Sequence, residues 1–469
     1  MKLTNLTATY TDLYQLTMGQ VYYLKGTAHS SATFDYFFRK LPYGSGYAVF
    51  AGLQDVLEIL EDIKFSEEDL EYLKDQGLNK DYVDSLKDFR FNGSIYSVNE
   101  GDVIFPNRPI LRVEATMLEA QIIETLLLNI LNFQSLIATK AARIRQVAPN
   151  KILSDFGLRR SHGLGGFSAS RATMVGGFDS TSNVSAAKEY GIPVSGTMAH
   201  SFIQSYEDEI SAFRDFADGR PDDCILLVDT YNTLKSGVPN AIQVAKEMKE
   251  KGHQLKAIRL DSGDLAYLAK KARKMLDDEG FHDVKIAASN QLDEFVIKSL
   301  MHQEAPIDIY GVGTNLVTGQ PDGAFDGVYK LSYHNGQPRI KLSENISKTT
   351  LPHRKQVWRL YDEEGQLYGA DVVGLEGEID ITQMHHPYEP HKNMHIGNIQ
   401  KKPTLNKVFE NGKNISGAPT LTEIKKYSQE QLGLLPVEYK RFEYPHTYKI
   451  GISSELKSLR DELRQKYKV

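Results

Sequence analysis

The chain has 469 residues, 41% of them hydrophobic and 25% charged, with a formal net charge of −6. That length predicts two or three domains rather than one core, and the mild acidity argues against the basic footprint of a nucleic-acid binder while leaving room for a local basic pocket that takes an anion. The single cysteine, Cys224, excludes an intramolecular disulfide and a Cys-cluster zinc site.

Cys224 precedes the apolar run Ile225-Leu226-Leu227-Val228 and reads as buried packing. No apolar run reaches membrane-spanning length, and Met1-Lys2-Leu3-Thr4-Asn5-Leu6 carries no signal-peptide apolar region. The expectation is a cytoplasmic protein without membrane or nucleic-acid partners.

From the N-terminus, Thr11 to Leu24 predicts a helix, with Thr11 as its cap. Ala32 to Phe38 reads as an aromatic-rich strand ending in Arg39-Lys40-Leu41-Pro42. Ser66-Glu67-Glu68-Asp69 has the pattern of a capping box. Ser94 to Val98 and Ile110 to Val113 read as strands. Glu119 to Ile144 predicts one long helix, with Leu126, Ile130, Phe133, Ile137 and Ala141 at helical intervals.

Next come short apolar runs alternating with helical stretches: Lys151–Leu153, Pro193–Ser195, Ile225–Val228, Ala257–Leu260, Val284–Ala287 and Ile307–Tyr310. This is the rhythm of βα units feeding a parallel sheet covered on both faces. The fold class it predicts is α/β, an irregular β/α barrel with an additional α+β domain and a C-terminal extension; a doubly wound sheet is the alternative. Ser201 to Phe216 predicts a single helix. After Asp326, Val328–Leu331 and Arg339–Leu342 flank the turn pair Asn335-Gly336. Gln356–Leu360 and Leu367–Val373 predict a second hairpin, and two charged helices follow Leu421. The expected division is 1–120 (α+β), 121–350 (barrel) and 351–469 (hairpins and helices packing on the first two).

In a β/α barrel the residues that follow each strand gather on one face, where chemistry is done. Here they are polar almost throughout. Arg159, Arg160, His162, His200 and Arg259 supply positive charge. Asp229, Asp261 and Asp264 either balance it or hold Mg²⁺ through oxygen ligands. Gly311-Val312-Gly313-Thr314 is suited to bring backbone N–H groups to a phosphate, although such a sequence is also an ordinary turn. Thr197 and His200 fall at a strand-to-helix turn in Gly196-Thr197-Met198-Ala199-His200, where free N–H groups face an anion. A histidine there serves as proton shuttle, as nucleophile toward phosphorus, or as a structural cap. Convergence on one face points to a phosphorylated substrate. The chain has no P-loop, no His-Glu-x-x-His and no Gly-x-Gly-x-x-Gly fingerprint.

Several stretches in order resemble the nicotinate phosphoribosyltransferases of NAD salvage. They are Thr11-Asp12-Leu13-Tyr14-Gln15-Leu16-Thr17-Met18, Phe156-Gly157-Leu158-Arg159-Arg160, Gly177 to Asn183, Gly196 to Phe202, Leu227 to Asn232, Arg259 to Leu265, and Gly311 to Asn315. The resemblance implies that nicotinate attacks C1 of 5-phosphoribosyl-1-diphosphate, with ATP hydrolysed alongside and Mg²⁺ assisting. It implies a homodimer whose active site is shared. Phe156 and the partner's Tyr14 would sandwich the pyridine ring. Arg259 and Ser182 would meet the nicotinate carboxylate, with Thr197 in the same substrate-binding set. Gly313 and Thr314 would hold the ribose 5-phosphate, and Arg159 or Arg160, with the partner's Arg39, the diphosphate. Asp229 and Asp261 would be the metal ligands, and His200 the phosphorylated histidine. Related nicotinamide enzymes carry Asp at the position of Ser182, so serine here favours the acid as substrate.

Rival readings are a nicotinamide or quinolinate phosphoribosyltransferase, a sugar-phosphate aldolase, and a non-catalytic phosphosugar-binding barrel. The aldolase needs a Schiff-base lysine at a strand end, and those strand ends offer no convincing one.

Overall fold

The structure is a computed structural model describing residues 6–345 and 348–467. Residues 1–5, read above for a leader, lie outside the described residues. The chain forms two compact units: Met1–Thr139 with Ala324–Val469, and Lys140–Gly323. The segments expected at 1–120 and 351–469 therefore share one unit, and the barrel unit is narrower than 121–350.

In the first unit, a seven-stranded sheet has Ser31–Phe38 near its centre, flanked by Gly327–His334 and Leu111–Thr116, both antiparallel to it. Chain-distant strands share this sheet because Asn406–Glu410 pairs with Ser94–Ser97. A second, six-stranded sheet is built wholly from residues after 354; in it Leu367–Leu375 lies parallel to Lys449–Ser453. The helix Glu67–Asp75 starts as its sequence dictates. The amide of Asp69 donates to Ser66 Oγ (3.1 Å) and that of Ser66 to Asp69 Oδ2 (2.8 Å), a reciprocal cap.

The second unit carries six parallel strands: β1 (Ile152–Asp155), β2 (Ser180–Thr181), β3 (Ile225–Leu227), β4 (Ala257–Leu260), β5 (Lys285–Ala288) and β6 (Ile309–Val312). Consecutive strands are neighbours except β2 and β3, which end the sheet, and β6 pairs with β1. Between β2 and β3 the ring is completed by the segment at Val194. Val194 bridges Thr181 in parallel, and Thr197 Oγ1 donates to Ile225 O at 2.5 Å. The result is an irregular β/α barrel. Leu226, Leu227, Ile258, Leu260, Ile286, Tyr310 and Val312 are fully buried, as strands covered on both faces require. Cys224 is buried too, and that burial pushes its thiol up to about 12.

Several elements differ from expectation. The long helix is two, Met117–Ile122 and Glu124–Val147; the break at Ile123 involves no Gly or Pro and coincides with Gln121 and Glu124 turning onto Gln15. Ser201 to Phe216 is also two helices, His200–Gln204 and Glu209–Gly219, because Asp208 caps the second by accepting from the Ser211 amide. Pro193–Ser195 contributes a bridge rather than a strand, since Pro193 has no N–H to give a ladder. At Asn335-Gly336 the turn is present, but the return strand is only Gln337–Pro338, and Arg339–Leu342 is not a strand. No helix among the described residues is long and apolar enough to cross a membrane.

Candidate active site

Polar residues cluster in the stretches after the barrel strands, and several of them cap the next helix. Asn183, Asp264 and Asp293 accept from amides of the helices that follow them. Asp264 is thus engaged as a cap rather than held open for a cation. After β3, Gly237 packs so closely that a Cβ would stand 1.8 Å from Val228 O, which fixes the strand end carrying Asp229.

On this face lies a cleft of about 730 Å³ whose lining includes Phe156, Arg159, Arg160, Arg259, Asp261, Gly313 and Thr314. Arg259 is one of its lining residues. Its Nε donates to Ser289 Oγ (2.9 Å), Nη1 to Met198 O (3.3 Å) and Nη2 to Asp261 Oδ1 (2.9 Å). A guanidinium has five N–H donors, so two remain for a ligand. Ser289 also donates to Asp261 Oδ1, closing a triangle. The Arg259 guanidinium carbon lies 5.7 Å from the centre of the Phe156 ring. That ring lies against Gly311, where a Cβ would come within 2.5 Å of it.

Burial alone would raise the Asp261 carboxyl. The Ser289 hydroxyl and the Arg259 guanidinium outweigh it, with His200 adding to them, and hold Asp261 below the usual carboxylate range. His200, the first residue of its helix, puts Nε2 3.8 Å from Asp261 Oδ2 and Nδ1 3.1 Å from Thr230 Oγ1. Asp229 Oδ2 accepts from the Asp261 amide (2.8 Å) and from Ser262 Oγ (2.6 Å), while its buried Oδ1 has no hydrogen-bond partner among the described residues. Arg159 and Arg160 occupy a single turn, Leu158–Arg160, and are exposed.

The structure thus brings Phe156, Arg159, Arg160, Arg259, Asp261, Gly313 and Thr314 to one cleft and ties His200 and Asp229 to it through Asp261. Thr197 differs: its hydroxyl is committed to Ile225 O. Ser182 is anchored by its amide, which donates to Asp155 O at 2.8 Å. Tyr14 and Arg39 belong to the other compact unit. Tyr14 is 47% exposed on the helix Leu13–Leu24, and Arg39 follows the strand Ser31–Phe38 with a buried Nε that lacks a hydrogen-bond partner among the described residues.

Similarity to known proteins decides the family. The N-terminal domain of the nicotinate phosphoribosyltransferases matches residues 9–132 and their C-terminal domain residues 354–460. A nicotinate phosphoribosyltransferase from Bacillus subtilis is 45% identical over 456 residues, 95% of this chain and 93% of that one. The chain belongs to the nicotinate phosphoribosyltransferase family. The crystal structure of human nicotinic acid phosphoribosyltransferase superimposes with a TM-score of 0.87 at 30% identity, covering 97% of this chain and 99% of that one. That of a nicotinate-nucleotide pyrophosphorylase from Pyrococcus furiosus does so at 0.71 and 25% identity, covering 92% and 96%. As a member of this family the protein is a glycosyltransferase of NAD biosynthesis.

Sequence reasoning did not single out Ser289, Thr230 or Asp155 as partners within this family's site. Ser289 follows β5 directly and Thr230 lies in the stretch after β3, so the strand-end rule takes both in without assigning them a role. Asp155 is recognisable only once Ser170 and Thr181 are seen to converge on it.

Proposed function

We propose that the chain joins nicotinate to 5-phosphoribosyl-1-diphosphate, giving nicotinate mononucleotide and diphosphate, with ATP hydrolysed to ADP and phosphate, as the first step of NAD salvage from nicotinate. The observation that carries this is the fixed Arg259 guanidinium beside the Phe156 ring in a cleft rimmed by Arg159, Arg160 and Gly313-Thr314. A flat ring bearing a carboxylate matches an aromatic face next to a guanidinium with two unspent donors. Ser182 donates to the same carboxylate, and Thr197 shapes the turn beside it.

Breaking the C1–O bond leaves positive character on the ribose and builds negative charge on the diphosphate. Arg159 and Arg160 meet that charge. Gly313 and Thr314 hold the 5-phosphate through a backbone amide and a hydroxyl. His200 takes the γ-phosphoryl group of ATP on its imidazole, and the phosphoenzyme favours the productive state.

The donor set fits a Mg²⁺ shared with polyphosphate rather than caged by protein. Among the described residues no group of three or more His, Cys, Asp or Glu side chains is placed to hold a metal. Asp229 nevertheless has a buried carboxylate oxygen without a hydrogen-bond partner among the described residues, and Asp261 is next to it. When bound, the ion neutralises charge on the departing diphosphate.

A homodimer completes the reading. Leu13, Tyr14, Val21 and Leu24 form an exposed stripe on the first helix, a surface suited to burial against a second copy. The partner's Tyr14 then covers the second face of the pyridine, and the partner's Arg39 reaches the diphosphate.

Turnover with nicotinate, nicotinamide and quinolinate offered separately tests the proposal. Product mainly from nicotinate supports it; product mainly from nicotinamide or quinolinate overturns it. Binding of 5-phosphoribosyl-1-diphosphate without any product supports the non-catalytic phosphosugar-binding barrel instead.

A further inference from the structure

One carboxylate at the end of a barrel strand takes no part in the chemistry above. Asp155, the last residue of β1, is 1% exposed and has no cation partner among the described residues. It accepts from the Gly157 amide (2.8 Å, Oδ1), from Ser170 Oγ (2.7 Å, Oδ2) and from Thr181 Oγ1 (2.8 Å, Oδ2). Behind these, Asn183 Nδ2 donates to Ser170 Oγ and to Gly166 O, each at 3.2 Å, and the Asn183 amide donates to Thr181 Oγ1 at 3.1 Å.

A buried carboxylate without a cation is costly even when it is hydrogen-bonded, and a packed apolar residue would serve the core better. What the carboxylate adds is geometry. Its side chain fixes the turn at Phe156-Gly157, its main-chain oxygen accepts from the Ser182 amide, and its second oxygen grips β2 immediately before Ser182. The turn has no slack elsewhere. A Cβ on Gly157 would come within 2.1 Å of Val317 Cγ1, and one on Gly311 within 2.5 Å of the Phe156 ring.

We propose that Asp155 is a positioning residue that sets the spacing between the Phe156 ring and Ser182, and through it the preference for a pyridine carboxylate over the amide. The inference rests on the reading of Phe156 and Ser182 as base contacts. Asp155 touches no substrate and acts only through the two residues it holds.

The test uses the full chain and the variants Asp155→Asn, Thr181→Val and Thr181→Ser. Asp155→Asn and Thr181→Val are expected to raise the nicotinate KM by about tenfold and to lower the nicotinate-to-nicotinamide preference similarly. The KM for 5-phosphoribosyl-1-diphosphate stays within about twofold, and Thr181→Ser, which keeps the hydroxyl, restores wild-type values. Amide hydrogen exchange without substrate gives an independent readout: the Gly157 and Ser182 amides should exchange faster together in both impaired variants. If Asp155→Asn does not fold, the Thr181 pair carries the test. A lower melting temperature with unchanged selectivity and unchanged exchange at those two amides overturns the proposal. Coupled exchange with no base selectivity in the wild type leaves the positioning device standing and overturns the base-site reading instead.

Discussion

His200 Nε2 stands 3.8 Å from Asp261 Oδ2, while Asp261 Oδ1 is gripped by the Arg259 guanidinium. The imidazole proposed to receive a phosphoryl group is therefore one carboxylate away from the guanidinium proposed to read the base. This is a short physical route by which a change at one could be felt at the other.

That route gives the first prediction. His200→Ala should abolish the stimulation by ATP and leave a slow, ATP-independent transfer, measured as nicotinate mononucleotide formed with and without ATP. Full ATP coupling in the variant would remove His200 from the phosphoryl path.

Arg259→Lys replaces a planar fork with a single ammonium that cannot span Ser289, Met198 O and Asp261 together. Losing a charge-assisted bond to the carboxylate costs about 1.5–3 kcal/mol, or roughly 10–150-fold in nicotinate KM. An equal loss for nicotinamide would show that the guanidinium does not read the carboxylate.

Ser182→Asp places a negative charge where the base carboxylate is expected. Nicotinate KM should rise at least about tenfold while nicotinamide, whose amide N–H can donate, is spared. A uniform change in both would place Ser182 away from the base substituent.

Asp261 titrates below the usual carboxylate range in the folded chain. Its stabilising contribution is then present above the ordinary carboxylate pKa and is lost as pH falls through the depressed value. Asp261→Asn should therefore be less stable than wild type near neutrality, and the gap should close in acid. Chemical denaturation at neutral and acidic pH measures it; a gap that widens in acid contradicts the assignment.

Gly311→Ala forces a methyl group toward the Phe156 ring. Overpacking of this kind costs about 1–3 kcal/mol. The expected outcome is a lower melting temperature together with weaker nicotinate binding, because the displaced ring is the proposed base platform.

How far the sequence spoke depended on where each signal resided. Barrel strands such as Ile225–Leu227 were legible because burial on both faces writes a continuous apolar run, broken in Ala257–Leu260 only at Arg259. Ser180–Thr181 was not, being two hydroxyl residues whose partners Ser154 and Asp155 are 26 positions away. Asp208 was read as helix interior, yet it caps a new helix, since a cap depends on the local turn and not on apolar spacing. Lys449–Ser453 escaped notice because its parallel partner is Leu367–Leu375, nearly 80 residues earlier. At the site, the strand-end rule collected Arg259, Asp261, Asp229 and His200 as candidates; the hydrogen bonds among them depend on side-chain directions that no spacing records.

The most direct measurement follows nicotinate and 5-phosphoribosyl-1-diphosphate with Mg²⁺, with and without ATP, and quantifies nicotinate mononucleotide. The account predicts product in both cases, formed faster with ATP, and acid-labile phosphate on His200 when ATP is present. No nicotinate mononucleotide under either condition would contradict it, leaving a barrel that binds a phosphosugar without turning it over.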